Sequence, residues 1–416
     1  MKYFLQIFVF LLFASWAGAA GLNRDFGIDL WEDSVLWNDP IQRLTDRLEL
    51  KSRGESNTTF LSRKYTADDL ILGARPYMLQ VYTNGKYADR VVIAYANKPD
   101  MALELKPSPE NLDSPGKIQM ELENLFREQI EKDRTAVIAA LSDRLGQPQD
   151  SGGNSVWKWT GHVMTLAETG ESLLLRIEPE NRSGAGTTAT QKRLSDNIQR
   201  GGTGDVLLSG IPAISQGDRN YCVPASWEKY LRYYGIKDIN VYDLAKSGGS
   251  TISGSYFVPF AAKVSPVLKK RNLEVDFVAG NPSDLNIVRN AISQGLPLIW
   301  ALDAQNLAQW AQRSMKRKGR LPNDEFEMKG MPAPHALLVV GYNAGFNEIA
   351  LSDSTELGSN LEVIWINADE AAAAALPNEK EMIVLKKAGS GSSIGGGGSS
   401  PSRKVKPLPF KDKKYY

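Results

Sequence analysis

The chain has 416 residues, too many for one typical domain, so two or three are expected. Apolar residues make up 42% and charged residues 23%, an ordinary globular balance, and a net charge of +1 excludes a global field that would draw nucleic acid or a membrane surface. A single cysteine, Cys222, excludes a framework of intramolecular disulfides, and two histidines, His162 and His335, confine any imidazole chemistry to one of them.

Residues 1–20, MKYFLQIFVFLLFASWAGAA, read as a secretory signal peptide. Lys2 supplies the positive start, Tyr3 to Phe13 are apolar apart from Gln6, and Ala17-Gly18-Ala19 offers small residues for cleavage near 19–20. A membrane anchor is the competing reading, and the run is short for the ~20 apolar residues of a span. The mature chain is therefore expected to be exported, periplasmic or extracellular. A structural thiol would be open to oxidation there, which favours a chemical role for Cys222 over that of a small buried hydrophobe.

Short helices or loops are expected around Pro40 to Leu50. Pro76 to Thr83 and Arg90 to Ala96 read as a hairpin turning at Asn84-Gly85. A long helix follows, with Asp113 or Ser114 as cap, Pro115 in the first turn and an apolar stripe from Ile118 to Leu145. Gly146 and Pro148 stop it. Val156 to Leu166 and Glu171 to Glu178 read as a second hairpin turning at Thr169-Gly170. Alternation along the first run puts His162 on the polar, solvated face. These elements make an N-terminal α+β domain over 21–180. Residues 181–205 are polar and rich in Gly and Thr, and read as a linker with a short helix near Gln191 to Gln199.

A second domain is expected over 206–387. It contains a helix after Cys222 that stops at Gly235, a helix-and-loop region from Tyr242 to Leu268, and an amphipathic helix from Pro282 to Gln294. A strand at Leu296 to Leu302 precedes a polar insert, 303–332, whose basic cluster Lys316, Arg317, Lys318 and Arg320 reads as a solvated loop. Strands at His335 to Tyr342, Glu348 to Ser352, Leu361 to Ile366 and Glu381 to Leu385 close the domain, with an alanine-rich helix at Asp369 to Leu376. Residues 388–416 form a Gly/Ser-rich linker and a basic tail, either a disordered end or a segment that docks on an anionic surface.

Chemistry concentrates at Cys222. It stands at a helix N-terminus, where the partial positive charge favours a thiolate. Its base must be one of the two histidines, and His335 opens an apolar strand in the same domain. Folding HALLVVGYN back on EIALSDS brings Asp353 near His335, as an orienter of the ring or as a plain turn residue. Gln216, six positions before Cys222, is the candidate oxyanion donor together with the Cys222 backbone N–H. Two soft ligands are too few for a structural zinc, and no Gly-rich phosphate loop follows a strand, so no metal or cofactor is expected. Small basic clusters support at most nonspecific contact with nucleic acid.

The stretch IPAISQGDRNYCVPASWEKYLRYYG resembles the nucleophile motif of papain-fold cysteine peptidases, closest to the bacterial group related to the double-glycine leader peptidases. HALLVVGYN and IALSDS resemble that group's His and Asp strands, and RNAISQGLPLIWALD its intervening helix and strand. The resemblance covers about 208–367. It implies a papain-like domain with the Cys helix in its N-terminal part and an antiparallel sheet in its C-terminal part, preceded by a separate α+β domain. It also implies Cys222 as nucleophile, His335 as base, Asp353 as orienter and Gln216 as oxyanion donor, acting on peptide or protein substrates through an acyl-enzyme. The group usually carries Gly after the cysteine. Here Val223 stands there, and its side chain is expected to narrow the cleft. The N-terminal domain lies outside the resemblance and is a candidate autoinhibitor. A catalytically weak papain-like binding module, or a thiol transamidase or cell-wall peptide hydrolase, is the alternative function.

Overall fold

The computed structural model describes residues 21–32, 35–52, 60–66, 68–83, 85–104, 115–180, 193–216, 220–251, 254–321, 334–355, 363–377 and 380–389. The expected signal peptide, the turn residue Asn84, the cap candidates Asp113 and Ser114, the first half of the linker, the end of the polar insert (322–332) and the basic tail lie outside these residues.

The N-terminal half is one antiparallel sheet of eight strands. These are β1 (Lys51–Ser52), β2 (Phe60–Lys64), β3 (Met78–Thr83), β4 (Ala88–Asn97), β5 (Gln149–Ser151), β6 (Asn154–Trp159), β7 (His162–Thr169) and β8 (Ser172–Pro179), in spatial order β1-β2-β3-β4-β8-β7-β6-β5. Helix α1 (Ile41–Leu48) and the short α2 (Lys98–Glu104) flank it. The long helix α3 (Pro115–Leu145) lies across it. Leu122, Phe126, Ile130, Val137 and Leu141 recur on one face of α3 and are buried. Most of them share a core with Val91, Ile93 and Tyr95 of β4 and with Leu173, Leu175 and Ile177 of β8.

The intervening residues of the same strands are buried as well. Tyr82, Val92, Ala94 and Leu174 face away from α3 and form a second cluster with residues of the C-terminal half. This explains why β4 reads VVIAYA without alternation: both faces of the strand are covered.

The expected single strand from Val156 to Leu166 is two strands. Thr160 and Gly161 adopt φ of 41° and 75° and reverse the chain into a tight hairpin between β6 and β7. The turn resets the alternation, so His162 opens β7 facing inward and is fully buried instead of solvated. Its Nε2 accepts from the Trp31 indole at 3.3 Å and from the Leu36 backbone N–H at 3.1 Å, while Nδ1 lies 3.0 Å from the Trp159 carbonyl. The ring is therefore the neutral tautomer that donates from Nδ1. Trp159 stacks against it and Trp31 meets it edge-on. Burial holds its pKa below the ordinary value.

The C-terminal half is a second antiparallel sheet. Its strands are β9 (Ile198–Arg200), β10 (Val206–Leu208), β11 (Leu273–Ala279), β12 (Leu298–Leu302), β13 (His335–Asn343), β14 (Glu348–Ser352), β15 (Ile364–Asn367) and β16 (Glu381–Lys387). The path runs β11-β16-β12-β13-β10-β9, and β14 and β15 continue from the other side of β13. Residues 198–200 thus belong to the sheet and are not a free linker. Leu194, just before them, is buried in the core, and an isolated apolar residue suffices to dock so short a segment. The helices are α4 (Cys222–Tyr233), α5 (Val241–Gly248), α6 (Phe257–Lys269), α7 (Leu285–Ser293), α8 (Leu307–Arg317) and α9 (Ala368–Ala373).

Helix α8 occupies the stretch expected to be a polar insert. Leu307, Ala308, Ala311 and Met315 recur at helical spacing and bury their face, a period outweighed in the sequence by the polar residues between them. Arg320, expected in a solvated loop, bridges Asp205 at 2.7 Å and Glu348 at 2.9 Å and lies 4.1 Å over the Trp365 ring.

Helix α4 sits between the two sheets. Trp227, Tyr230, Leu231 and Tyr234 enter the core of the C-terminal half. Tyr221 and Ala225 join Tyr242 and Ala245 of α5 against Tyr82, Val92, Ala94 and Leu174. Charges line the same seam. Arg232 lies 3.7 Å over the Tyr82 ring and pairs with Glu228 at 2.8 Å, and Lys237 reaches Asp89 at 2.8 Å. Arg176 pairs with Asp243.

Candidate active site

Cys222 is the first residue of α4, half-buried, with Tyr221 as N-cap and no side-chain hydrogen bond at that cap. The first-turn N–H groups and the positive end of the helix are therefore directed at the sulfur region. Pro224 occupies the first turn, where it has no bond to lose. Val223 turns inward. It is 4% exposed and packs in the main core, so it does not narrow the cleft.

His335 is the first residue of β13, and β14 returns beside it with Leu338 opposite Ser352. Asp353 follows β14 directly. The hairpin therefore sets the two polar ends together, and His335 Nε2 hydrogen-bonds Asp353 Oδ1. Asp353 Oδ2 accepts from the Thr355 backbone N–H at 2.7 Å and from the Thr355 hydroxyl, so both carboxylate oxygens are engaged. His335 is almost wholly inside, and its Nδ1 is buried without a partner that meets hydrogen-bond geometry. Burial opposes charge on the ring. The Asp353 carboxylate outweighs it, with a further contribution from Cys222, and raises the His335 pKa to about 10. With Nε2 committed to Asp353, Nδ1 is the ring nitrogen left for a contact with Cys222.

Gln216 is buried beside the same strand end. Its backbone N–H donates to the Ser354 carbonyl at 2.9 Å, and its Oε1 accepts from the Ser354 hydroxyl at 2.8 Å. The amide is thereby oriented with oxygen toward Ser354 and NH2 on the opposite side.

The four residues singled out from the sequence thus meet in one region: Cys222 and His335 through their electrostatic contact, His335 and Asp353 through a hydrogen bond, and Gln216 through Ser354, the neighbour of Asp353. His162 lies in the other sheet and takes no part. Two further residues join the cluster that the sequence reading did not single out. Lys229, two turns along α4 from Cys222, is 1% exposed and donates to the Ser352 hydroxyl at 3.1 Å and to the Asp353 carbonyl. Ser354 is fully buried. Lys229 lies on the helix face of Ser226, whose hydroxyl donates to the Ala336 carbonyl of β13, so it points at the sheet and not at water, which the sequence alone does not show. Among the described residues no group of three or more His, Cys, Asp or Glu could hold a metal, and no helix is long and apolar enough to cross a membrane.

A family model described as Peptidase_C39 like family matches residues 208–374. Among solved structures, the chain is similar to the crystal structure of xylellain, a cysteine protease from Xylella fastidiosa, at 12% identity and a TM-score of 0.32, covering 50% of this chain and 98% of that one. No curated protein matches the chain. The family match covers less than half of the chain, and it supports a C39-like segment of cysteine-peptidase type over residues 208–374.

Proposed function

We propose that the protein is an exported thiol peptidase that cleaves peptide bonds through Cys222, His335, Asp353 and Gln216. The observation that carries this reading is the buried His335–Asp353 pair at the N-terminus of the Cys222 helix, with the free face of the imidazole turned to the sulfur.

In this reading the Cys222 thiolate attacks the carbonyl carbon and the C=O electrons move onto oxygen. The oxyanion accepts from the Gln216 NH2 and the Cys222 backbone N–H. His335 Nδ1–H protonates the leaving amine as the C–N bond breaks, leaving a thioester. The neutral Nδ1 then takes a proton from water, whose oxygen attacks the thioester and regenerates the thiolate. Asp353 holds the ring by Nε2 and stabilises the imidazolium.

The test is labelling of the mature protein by iodoacetamide or an epoxide probe, compared with Cys222→Ala and His335→Ala. Labelling of Cys222 at the rate of a free thiol, indifferent to His335→Ala, sinks the reading. Export rests on residues 1–20 and is checked by fractionation and N-terminal sequencing; a mature chain beginning at Met1 in the cytoplasm refutes it. Autoinhibition by the N-terminal domain predicts a rise in labelling after a cut within 181–192, and docking of the basic tail predicts salt-sensitive retention on anionic vesicles that is lost without residues 402–416.

A further inference from the structure

Three consecutive residues at the end of β14 reach three different parts of the site. The Ser352 hydroxyl and the Asp353 carbonyl accept from Lys229 of the Cys222 helix. The Asp353 carboxylate holds His335. The Ser354 hydroxyl and carbonyl hold both ends of Gln216. All of these partners are buried, and all but Asp353 with His335 are more than 120 positions away in the chain. A strand end usually satisfies its serines locally, in turns. Here both serines bond outward, to groups on other elements.

We propose that Lys229 and Ser354 are positioning residues that split the alignment of the site between them: Lys229 clamps the Asp353 backbone to the nucleophile helix, and Ser354 sets the Gln216 amide for the oxyanion. The inference rests on the peptidase reading above.

The two roles separate physically. Lys229 holds the peptide carbonyl of the residue whose side chain orients His335, so its loss frees Asp353 to turn away and weakens the imidazolium that partners the thiolate. The groups that bear on this are Cys222, Glu228 and Arg232 on α4, the latter two paired with each other on the side of the domain seam, and His335 and Asp353 on the sheet. Ser354 touches neither the base nor the nucleophile. It donates to the Gln216 oxygen, and without that donor the amide can flip and present oxygen to a developing oxyanion.

Two probes distinguish the roles in the full-length mature protein. Iodoacetamide alkylates sulfur by displacement and makes no oxyanion. A peptide aldehyde is captured by addition of sulfur to the carbonyl carbon, which leaves its oxygen in the oxyanion position. Lys229→Met is expected to move the acid limb of the alkylation profile up by about one pH unit, the scale of one neighbouring charge interaction. Ser352→Ala, which keeps the lysine and is the milder change, moves it in the same direction by less. Ser354→Ala is expected to weaken aldehyde capture about tenfold or more while leaving the alkylation profile in place. The inference is overturned if Lys229→Met and Ser352→Ala leave the acid limb unmoved, if Ser354→Ala lowers alkylation and aldehyde capture equally, or if the wild type forms no aldehyde adduct. Should His335→Ala leave wild-type alkylation unchanged, the peptidase reading itself fails. A collapse on His335→Ala with silent Lys229 and Ser354 variants refutes this inference alone.

Discussion

His335 offers a direct measurement because the chain has only two histidines. Its folded pKa is raised from 6.5 to about 10 by Asp353 and Cys222 against the cost of burial. A histidine raised in this way contributes stability that is fully present below its unfolded pKa and is lost as pH rises through the folded value. Between pH 6.5 and about 10 the native site holds a proton that the unfolded chain releases. At pH 8 the folded ring is about 99% imidazolium, and still about 90% if the pKa lies one unit lower. Asp353→Asn removes the main opposing charge, and the pKa falls toward 6.5 or below. At pH 8 that leaves about 3% imidazolium or less, a loss of roughly thirtyfold in the protonated form. Imidazole 15N resonances of histidine-labelled protein read this directly. The wild type is expected to show one ring with both nitrogens protonated at pH 8 and one neutral ring protonated at Nδ1, which is His162. In Asp353→Asn both rings are neutral. A neutral His335 at pH 8 in the wild type refutes the argument, because the charge pairing would then have failed to overcome burial.

His162 has the opposite sign. Its folded pKa is depressed by burial, so its contribution is complete above about 6.5 and is lost as pH falls below that; melting temperature should drop between pH 7 and 5, and His162→Gln should flatten the slope. In Gly341→Ala the new Cβ falls 2.3 Å from the Val206 carbonyl oxygen, a backbone atom that cannot step aside without parting β10 from β13. A loss of about 2–4 kcal/mol is expected in denaturant titration, and an unmoved midpoint would contradict it. Tyr82→Ala empties the seam under Arg232 and should cost about 3–5 kcal/mol, with calorimetry resolving two transitions where the wild type gives one. A single, barely shifted transition would mean that the seam couples the halves weakly.

The site was legible because its polar residues stand at the ends of apolar runs. His335 precedes ALLVV and Asp353 follows IALS, and the short loop between the strands allows only a hairpin, which joins those ends. Lys229 was not legible. Glu228, Lys229 and Arg232 look like the solvated side of an amphipathic helix, yet α4 is covered on both sides, Glu228 and Lys229 are buried, and the Arg232 side chain is only 8% exposed. A single helix sequence cannot report a second covering layer supplied by residues 140 positions earlier. The same layer made β4 continuous in its apolar residues, so the sign of a two-faced sheet was present in the N-terminal half and unconnected to its cause. His162 was misread for a local reason: one Thr-Gly turn reverses inside from outside for everything after it. Helix α3, by contrast, runs from Pro115 to Leu145 as its first-turn proline and terminal glycine require, because those signals are local.

Strand β16 has a practical consequence. It lies between β11 and β12, pairing with β11 over seven residues, and its Met382 to Leu385 are wholly buried. Leu385 also accepts hydrogen bonds from Tyr230 and Tyr234 at the end of the Cys222 helix. Yet it begins seven positions beyond the last residue of the family match, 374 against 381. A fragment trimmed to the homology boundary would lose an interior strand and leave two tyrosine hydroxyls of the Cys222 helix without their acceptor. For expression, the unit to clone is set by the sheet and by the seam on α4, and both extend past the ends of the recognisable motif.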